Sequence, residues 1–85
     1  MNYAVIWSPK AEAALTRIWL AARDRSRVRE AADQLELRLA RDPNSFGESR
    51  SANLRVAFQE PLVIQFEVDQ VRKRVTVAQV LRTKR

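Results

Sequence analysis

Residues 54–81 decide the fold: Leu54-Arg55-Val56-Ala57-Phe58, a turn at Gln59-Glu60-Pro61, Leu62-Val63-Ile64-Gln65-Phe66-Glu67-Val68-Asp69, a turn at Gln70-Val71-Arg72-Lys73, and Arg74-Val75-Thr76-Val77-Ala78-Gln79-Val80-Leu81. Each run is rich in β-branched and aromatic residues and alternates with the period of a strand. The turns between them are too short for crossover helices, so the three strands form an antiparallel meander. In the first strand Leu54, Val56 and Phe58 share one face, which is expected to point to the core. Arg55, Ala57 and Gln59 share the other, expected to point outward. In the last strand Val77 and Val80 fall on opposite faces of a regular strand, which predicts a central or doubly covered strand.

A sheet with an apolar face needs a cover. Upstream, Tyr3 to Trp7 reads as another short strand, expected to join the same sheet. Ser8-Pro9 then opens a helix, because serine caps the free N–H groups and proline at the first helical position loses no hydrogen bond. From Pro9 to about Arg23, Ala11, Ala14, Leu15, Ile18, Trp19 and Ala22 recur at helical spacing. After a polar break at Asp24-Arg25-Ser26, a second helix is predicted from about Arg27 to Arg41. Val28, Ala31, Ala32, Leu35 and Leu39 form its stripe and Leu37 lies off it. Asp42-Pro43 stops it, since a residue before proline resists the α conformation. Residues 44–53 read as loop around Gly47, the only glycine. The expectation is one α+β domain over residues 1–85, in the order β-α-α-β-β-β, with a helical hairpin packed on one face of an antiparallel sheet. Trp7 and Trp19 fall on apolar stripes and are expected in the core.

Composition narrows the chemistry. The chain has no cysteine and no histidine, so a disulfide framework, a thiolate metal site and imidazole catalysis are all excluded. No cofactor motif and no membrane-spanning run is present, and the start lacks a basic, apolar leader, so a cytoplasmic location is expected. Net charge is +6 and unevenly spread: residues 1–42 hold eight bases and six acids, residues 43–85 eight bases and four acids. Residues 72–85 hold six bases and no acid. A hydrophobic strand ending in cations is an anion-binding edge, fitted to nucleic acid or to an acidic protein. Arg23, Arg25, Arg27 and Arg29 make a second cluster at the interhelical turn, available to a protein partner.

These features together resemble the RelE/ParE superfamily of toxins from bacterial type II toxin–antitoxin systems. The residues that carry the likeness are the opening Tyr3-Ala4-Val5-Ile6-Trp7-Ser8-Pro9-Lys10-Ala11, the helix ending at Asp42-Pro43, the Gly47 loop, Asn53-Leu54-Arg55-Val56, and the closing Val80-Leu81-Arg82-Thr83-Lys84-Arg85. The resemblance implies a cognate antitoxin as partner, acidic in its binding segment. It implies one of two targets: DNA gyrase, bound and poisoned as by ParE-like members, or messenger RNA cut on the ribosome as by RelE-like members. No metal, membrane or small-molecule cofactor is implied.

Cleaving RNA without a metal takes a base for the 2′-OH, cations for the phosphorane and an acid for the leaving oxygen. Relatives that cleave supply these with lysine, arginine and a late tyrosine. Here Arg55 matches a position where the family often has a cation, but Ala57 stands at the next such position. Pro61-Leu62 replaces a common Tyr-Arg pair, Thr83 takes one basic position, and no tyrosine follows the last strand. Tyr3 is the only tyrosine. The candidate target-binding residues are Arg50, Arg55, Arg82, Lys84 and Arg85. No catalytic residue is assigned. These departures favour a toxin that acts by binding, with the messenger-RNA nuclease and a non-toxic binding module as alternatives.

Overall fold

A computed structural model describes residues 2–83. The chain runs β1 (Ala4–Trp7), α1 (Pro9–Ala21), α2 (Arg25–Arg41), β2 (Glu48–Ser49), β3 (Leu54–Gln59), β4 (Leu62–Asp69) and β5 (Arg74–Arg82). The five strands form one sheet in the order β1-β5-β4-β3-β2, and the two helices pack on one of its faces. The α+β class and the covering hairpin are as the sequence indicates.

Three details differ. The sheet is mixed: β1 lies parallel to β5, with Val5 opposite Val75 and Trp7 opposite Val77. The intervening hairpin supplies the long connection that parallel neighbours require. The predicted loop contains a two-residue strand, β2, whose Glu48 and Ser49 pair with Val56 and Arg55. Finally, α2 begins at Arg25, because the Asp24 carboxylate accepts the Arg27 N–H (3.2 Å) and caps it.

Ser8 does more than cap α1. Its Oγ accepts the Ala11 N–H (3.1 Å) and donates to the carbonyl oxygen of Ala78 (3.3 Å), while its own N–H bonds the carbonyl of Val77 (3.0 Å). Ala78 is the extra residue of a β-bulge: Gln65 pairs with Gln79, but Phe66 pairs with Val77. The bulge resets the alternation of β5. Val75, Val77 and Val80 are therefore all buried on the helix side, and two-sided burial is not what places Val77 and Val80 where they are.

The core lies between the hairpin and this sheet face. Leu35 and Leu39 of α2, Ala11 of α1, and Leu62, Ile64 and Phe66 of β4 are all buried; each large side chain among them contributes about 1.5–3 kcal/mol. Phe46, from the β2 approach, stacks on Phe66 with ring centroids 6.2 Å apart.

The register of β3 reverses the expected facing. Arg55 pairs with Phe66, Ala57 with Ile64 and Gln59 with Leu62. Directly paired residues point to the same side, so Ala57 joins Ile64 in the core at 0% exposure, whereas Phe58 is 62% exposed. The tight Glu60-Pro61 turn sets this register, and the dense apolar face of β4 outweighs the apolar face of β3.

Candidate functional site

Of the five arginines and lysines read from the sequence, the three among the described residues do not form one surface. Lys84 and Arg85 lie outside the described residues. Arg50 follows β2, is largely exposed, and sits 3.8 Å from the Glu48 carboxylate. Arg55 is on the helix side of the sheet, not on its open face. Its Nε donates to the carbonyl of Phe46 (3.0 Å) and its guanidinium nitrogen Nη2 to that of Gly47 (2.9 Å). Both bonds tie the β2 approach to β3. Arg82 pairs with Leu62, four residues along β4 from the Phe66 partner of Arg55, which separates the two arginines by about 13 Å along the strand.

Arg82 instead faces the interhelical turn. A cleft of about 290 Å³ lies between that turn and the end of β5, with Arg23, Arg27 and Arg82 around it and Ala22, Val28 and Pro61 as its apolar part. The strand end is held in place: the Thr83 N–H bonds the carbonyl of Pro61 (2.8 Å). Arg27 approaches Glu60 at 3.9 Å, both side chains being well exposed. The sequence marks Arg23 and Arg27 as clustered cations; their convergence with Arg82 needs the tertiary fold to bring residues nearly sixty positions apart together.

A second feature is a groove between α1 and α2. One stretch, about 440 Å³, is lined by Leu15, Trp19, Val28 and Arg29. The other, about 630 Å³, is lined by Trp7, Glu12, Asp33 and Glu36. Leu15, Thr16 and Ala32 line both, so the groove is continuous. Trp19 is 38% exposed, with the Arg25 guanidinium 4.7 Å from its ring centre. The Trp7 indole N–H donates to Glu36 (3.1 Å). The floor is apolar, one end is basic and the other acidic. Trp7 packs against the edge of the core, whereas Trp19, expected in the core, lies outside it; both wall this groove, which the helical pattern alone does not reveal.

The open face of the sheet has different chemistry. Phe58, Val63 and Leu81 lie side by side across β3, β4 and β5, with Phe58 and Leu81 62% and 48% exposed. By register, Glu48, Glu67, Asp69 and Arg74 share this face. At the β4–β5 turn the Asp69 carboxylate accepts the Arg72 N–H (3.0 Å) and its guanidinium (3.2 Å). These hydrogen bonds, the backbone one first, hold the Asp69 carboxyl below the ordinary aspartate value.

Tyr3, the sole tyrosine, is committed elsewhere. Its hydroxyl donates to Gln70 (2.9 Å) and accepts from Asn44 (3.1 Å), and the Gln70 amide donates to Asn44. It adjoins the Arg74 end of β5, about 26 Å along the strand from Arg82. Tyr3 therefore does not meet the basic cleft.

A helical hairpin on one face of a five-stranded mixed sheet, with Arg23, Arg27 and Arg82 around a cleft at the interhelical turn, defines a small α+β domain. The sequence profile described as the ParE toxin of type II toxin–antitoxin system, parDE, matches residues 5–85. The chain belongs to that family, within the RelE/ParE superfamily. Among solved structures it is similar to a chain of the RelBE2 toxin–antitoxin complex from Mycobacterium tuberculosis, at 19% identity and TM-score 0.78, over 96% of this chain and 99% of that one. It is also similar to a chain of the chromosomal ParDE system of Pseudomonas aeruginosa, at 18% identity and TM-score 0.72, over 98% of each. The archaeal RelE–RelB complex from Pyrococcus horikoshii OT3 gives 19% identity and TM-score 0.60, over 100% of this chain and 99% of the other. At these identities the structural likeness speaks to the fold. No curated protein sequence matches the chain. Among the described residues, no helix is long and apolar enough to cross a membrane.

Proposed function

We propose that this toxin arrests growth by binding DNA gyrase in the cytoplasm, and that a cognate antitoxin neutralises it. The observation that carries the reading is the ParE family match over residues 5–85. The site chemistry points the same way. Arg55 spends its donors on backbone carbonyls, Leu62 is buried in the core where an arginine would serve a nuclease, and Tyr3 is remote from the basic cleft. Among the described residues, the cleft is lined by arginines with neither lysine nor tyrosine, a set that binds a target more readily than it cuts one. The exposed row Phe58–Val63–Leu81 is a surface suited to protein contact.

The antitoxin is the partner for the α1–α2 groove, whose apolar floor fits the apolar stripe of an amphipathic helix. Arg25 and Arg29 would face that helix's acidic residues. The RelBE2, ParDE and RelE–RelB structures named above come from toxin–antitoxin systems, which supports a protein partner of this kind.

Supercoiling of relaxed plasmid by purified gyrase tests the target. Excess toxin is expected to inhibit it, and added antitoxin to restore it. Undiminished supercoiling, together with new messenger-RNA 5′ ends on translating ribosomes, would transfer the protein to the nuclease reading.

A further inference from the structure

We propose that the cleft between the α1–α2 turn and the end of β5 grips successive backbone phosphates of duplex nucleic acid through Arg23, Arg27 and Arg82, up to one phosphate per arginine. The proposal does not depend on which protein the toxin inhibits.

Three separate segments bring these arginines to one cleft of about 290 Å³. Guanidinium groups suit phosphate because each presents a planar fork of donors to two oxygens at once. Competition from nearby carboxylates is weak. Asp24 itself lines the cleft, but its Oδ1 accepts the Arg27 N–H as the cap of α2, and three arginines outnumber it there. Glu60 lies 3.9 Å from Arg27 with both side chains in water, a weak exposed pair that a backbone phosphate can displace. Among the described residues, neither Arg23 nor Arg82 has a carboxylate within 4.0 Å.

The cleft's other residues choose between forms of nucleic acid. Ala22, Val28 and Pro61 are small and apolar, and no aromatic side chain lines it. A single strand presents unstacked bases and calls for aromatic platforms. A duplex presents phosphate and sugar edges, which need only cations and a smooth apolar wall. The contact is therefore with backbone and independent of sequence. An acidic peptide is the competing occupant; its carboxylates would also meet the arginines, but the cleft lacks the long apolar floor that the α1–α2 groove offers a peptide.

Fluorescence anisotropy with a short, labelled, mixed-sequence DNA duplex, titrated at several salt concentrations, provides the test. Up to three neutralised phosphates predict a slope of log K against log salt of roughly −2 to −3. Arg82→Gln and Arg23→Gln are each expected to flatten it by about 0.9. Arg41→Gln, at the far end of α2, is the control and should leave it nearly unchanged. Circular dichroism melts confirm that each variant is folded. The proposal is overturned by a control variant that flattens the slope as much as Arg82→Gln, by no duplex binding at about 50 mM salt, or by poly-glutamate binding that disappears in the same variants while the duplex never binds.

Discussion

Arg55 is the residue on which a ligand role and a structural role diverge most sharply. Arg55→Met removes every donor while keeping most of the aliphatic stem. Two hydrogen bonds are lost, to the carbonyls of Phe46 and Gly47. A bond from a charged donor contributes about 1.5–3 kcal/mol where water cannot replace it. The Gly47 bond is exposed and water will largely take its place; the Phe46 bond is part-buried and its carbonyl is left unmatched. The net loss is about 2 kcal/mol. For a domain of this size, each kcal/mol lowers Tm by about 4–8 °C, so the expected fall is about 8–16 °C. Thermal melts followed by circular dichroism read this directly, and a growth-arrest assay at low temperature reads toxicity. Arrest should persist wherever the variant is folded. A variant that melts within about 2 °C of the parent yet has lost all toxicity would refute the reasoning and return Arg55 to the target surface.

Gly47→Ala should be at least as damaging. Gly47 has φ +76°, and a Cβ there would lie 2.3 Å from the carbonyl oxygen of Val56, so strain and overpacking together predict about 2–4 kcal/mol by chemical denaturation. Combined with Arg55→Met, its effect should be less than additive, because both changes loosen the same attachment. Phe58→Ser with Leu81→Ser should leave Tm within a few degrees, since exposed positions contribute within about 0.5 kcal/mol each, but should weaken inhibition of the target in the supercoiling assay. For Asp69 the folded carboxyl titrates below its unfolded value, so its stabilising contribution is present above about pH 4 and is lost as pH falls through the lowered value. Asp69→Asn should remove that acid sensitivity, measured by comparing Tm across pH 2–5.

The elements were legible where periodicity was strong. Ser8-Pro9, the Ala11-Ala14-Ile18 stripe and the Val28-Ala31-Leu35-Leu39 stripe mark both helices, and the β4 alternation marks the sheet's inner face without ambiguity. The facing of β3 was not legible. Leu54, Val56 and Phe58 look like a core stripe, yet the turn at Glu60-Pro61 fixes a register in which Ala57 meets Ile64. A register is a property of two strands, and one strand's pattern cannot reveal it. The bulge at Ala78 was hidden for the same reason: a regular period of two places Val77 and Val80 on opposite sides. Of the candidate site, the basic character of Arg82 and of the interhelical turn could be read directly. Their meeting could not, because β1 lying parallel to β5 is what brings α1, α2 and the end of β5 into register.

The reversed β3 register also accounts for how the two faces of the sheet differ. Once β4 commits Leu62, Ile64 and Phe66 to the hairpin, its partners Gln59, Ala57 and Arg55 must point the same way. Arg55 is then drawn into holding Phe46 and Gly47, and is withdrawn from solvent. The displaced residues, Val56 and Phe58, are forced onto the open face, where Phe58 meets Val63 and Leu81. An apolar row beside Glu48, Glu67, Asp69 and Arg74 carries more acid than base, so it suits protein better than phosphate. Three arginines, Arg23, Arg27 and Arg82, gather instead around the cleft at the hairpin end. Nucleic acid and protein are thereby directed to different parts of a small molecule, so substitutions at Phe58 and at Arg82 should impair separate binding events. Purified variants assayed for both inhibition and duplex binding would expose any overlap: joint loss in Phe58→Ser would mean that the two surfaces act as one.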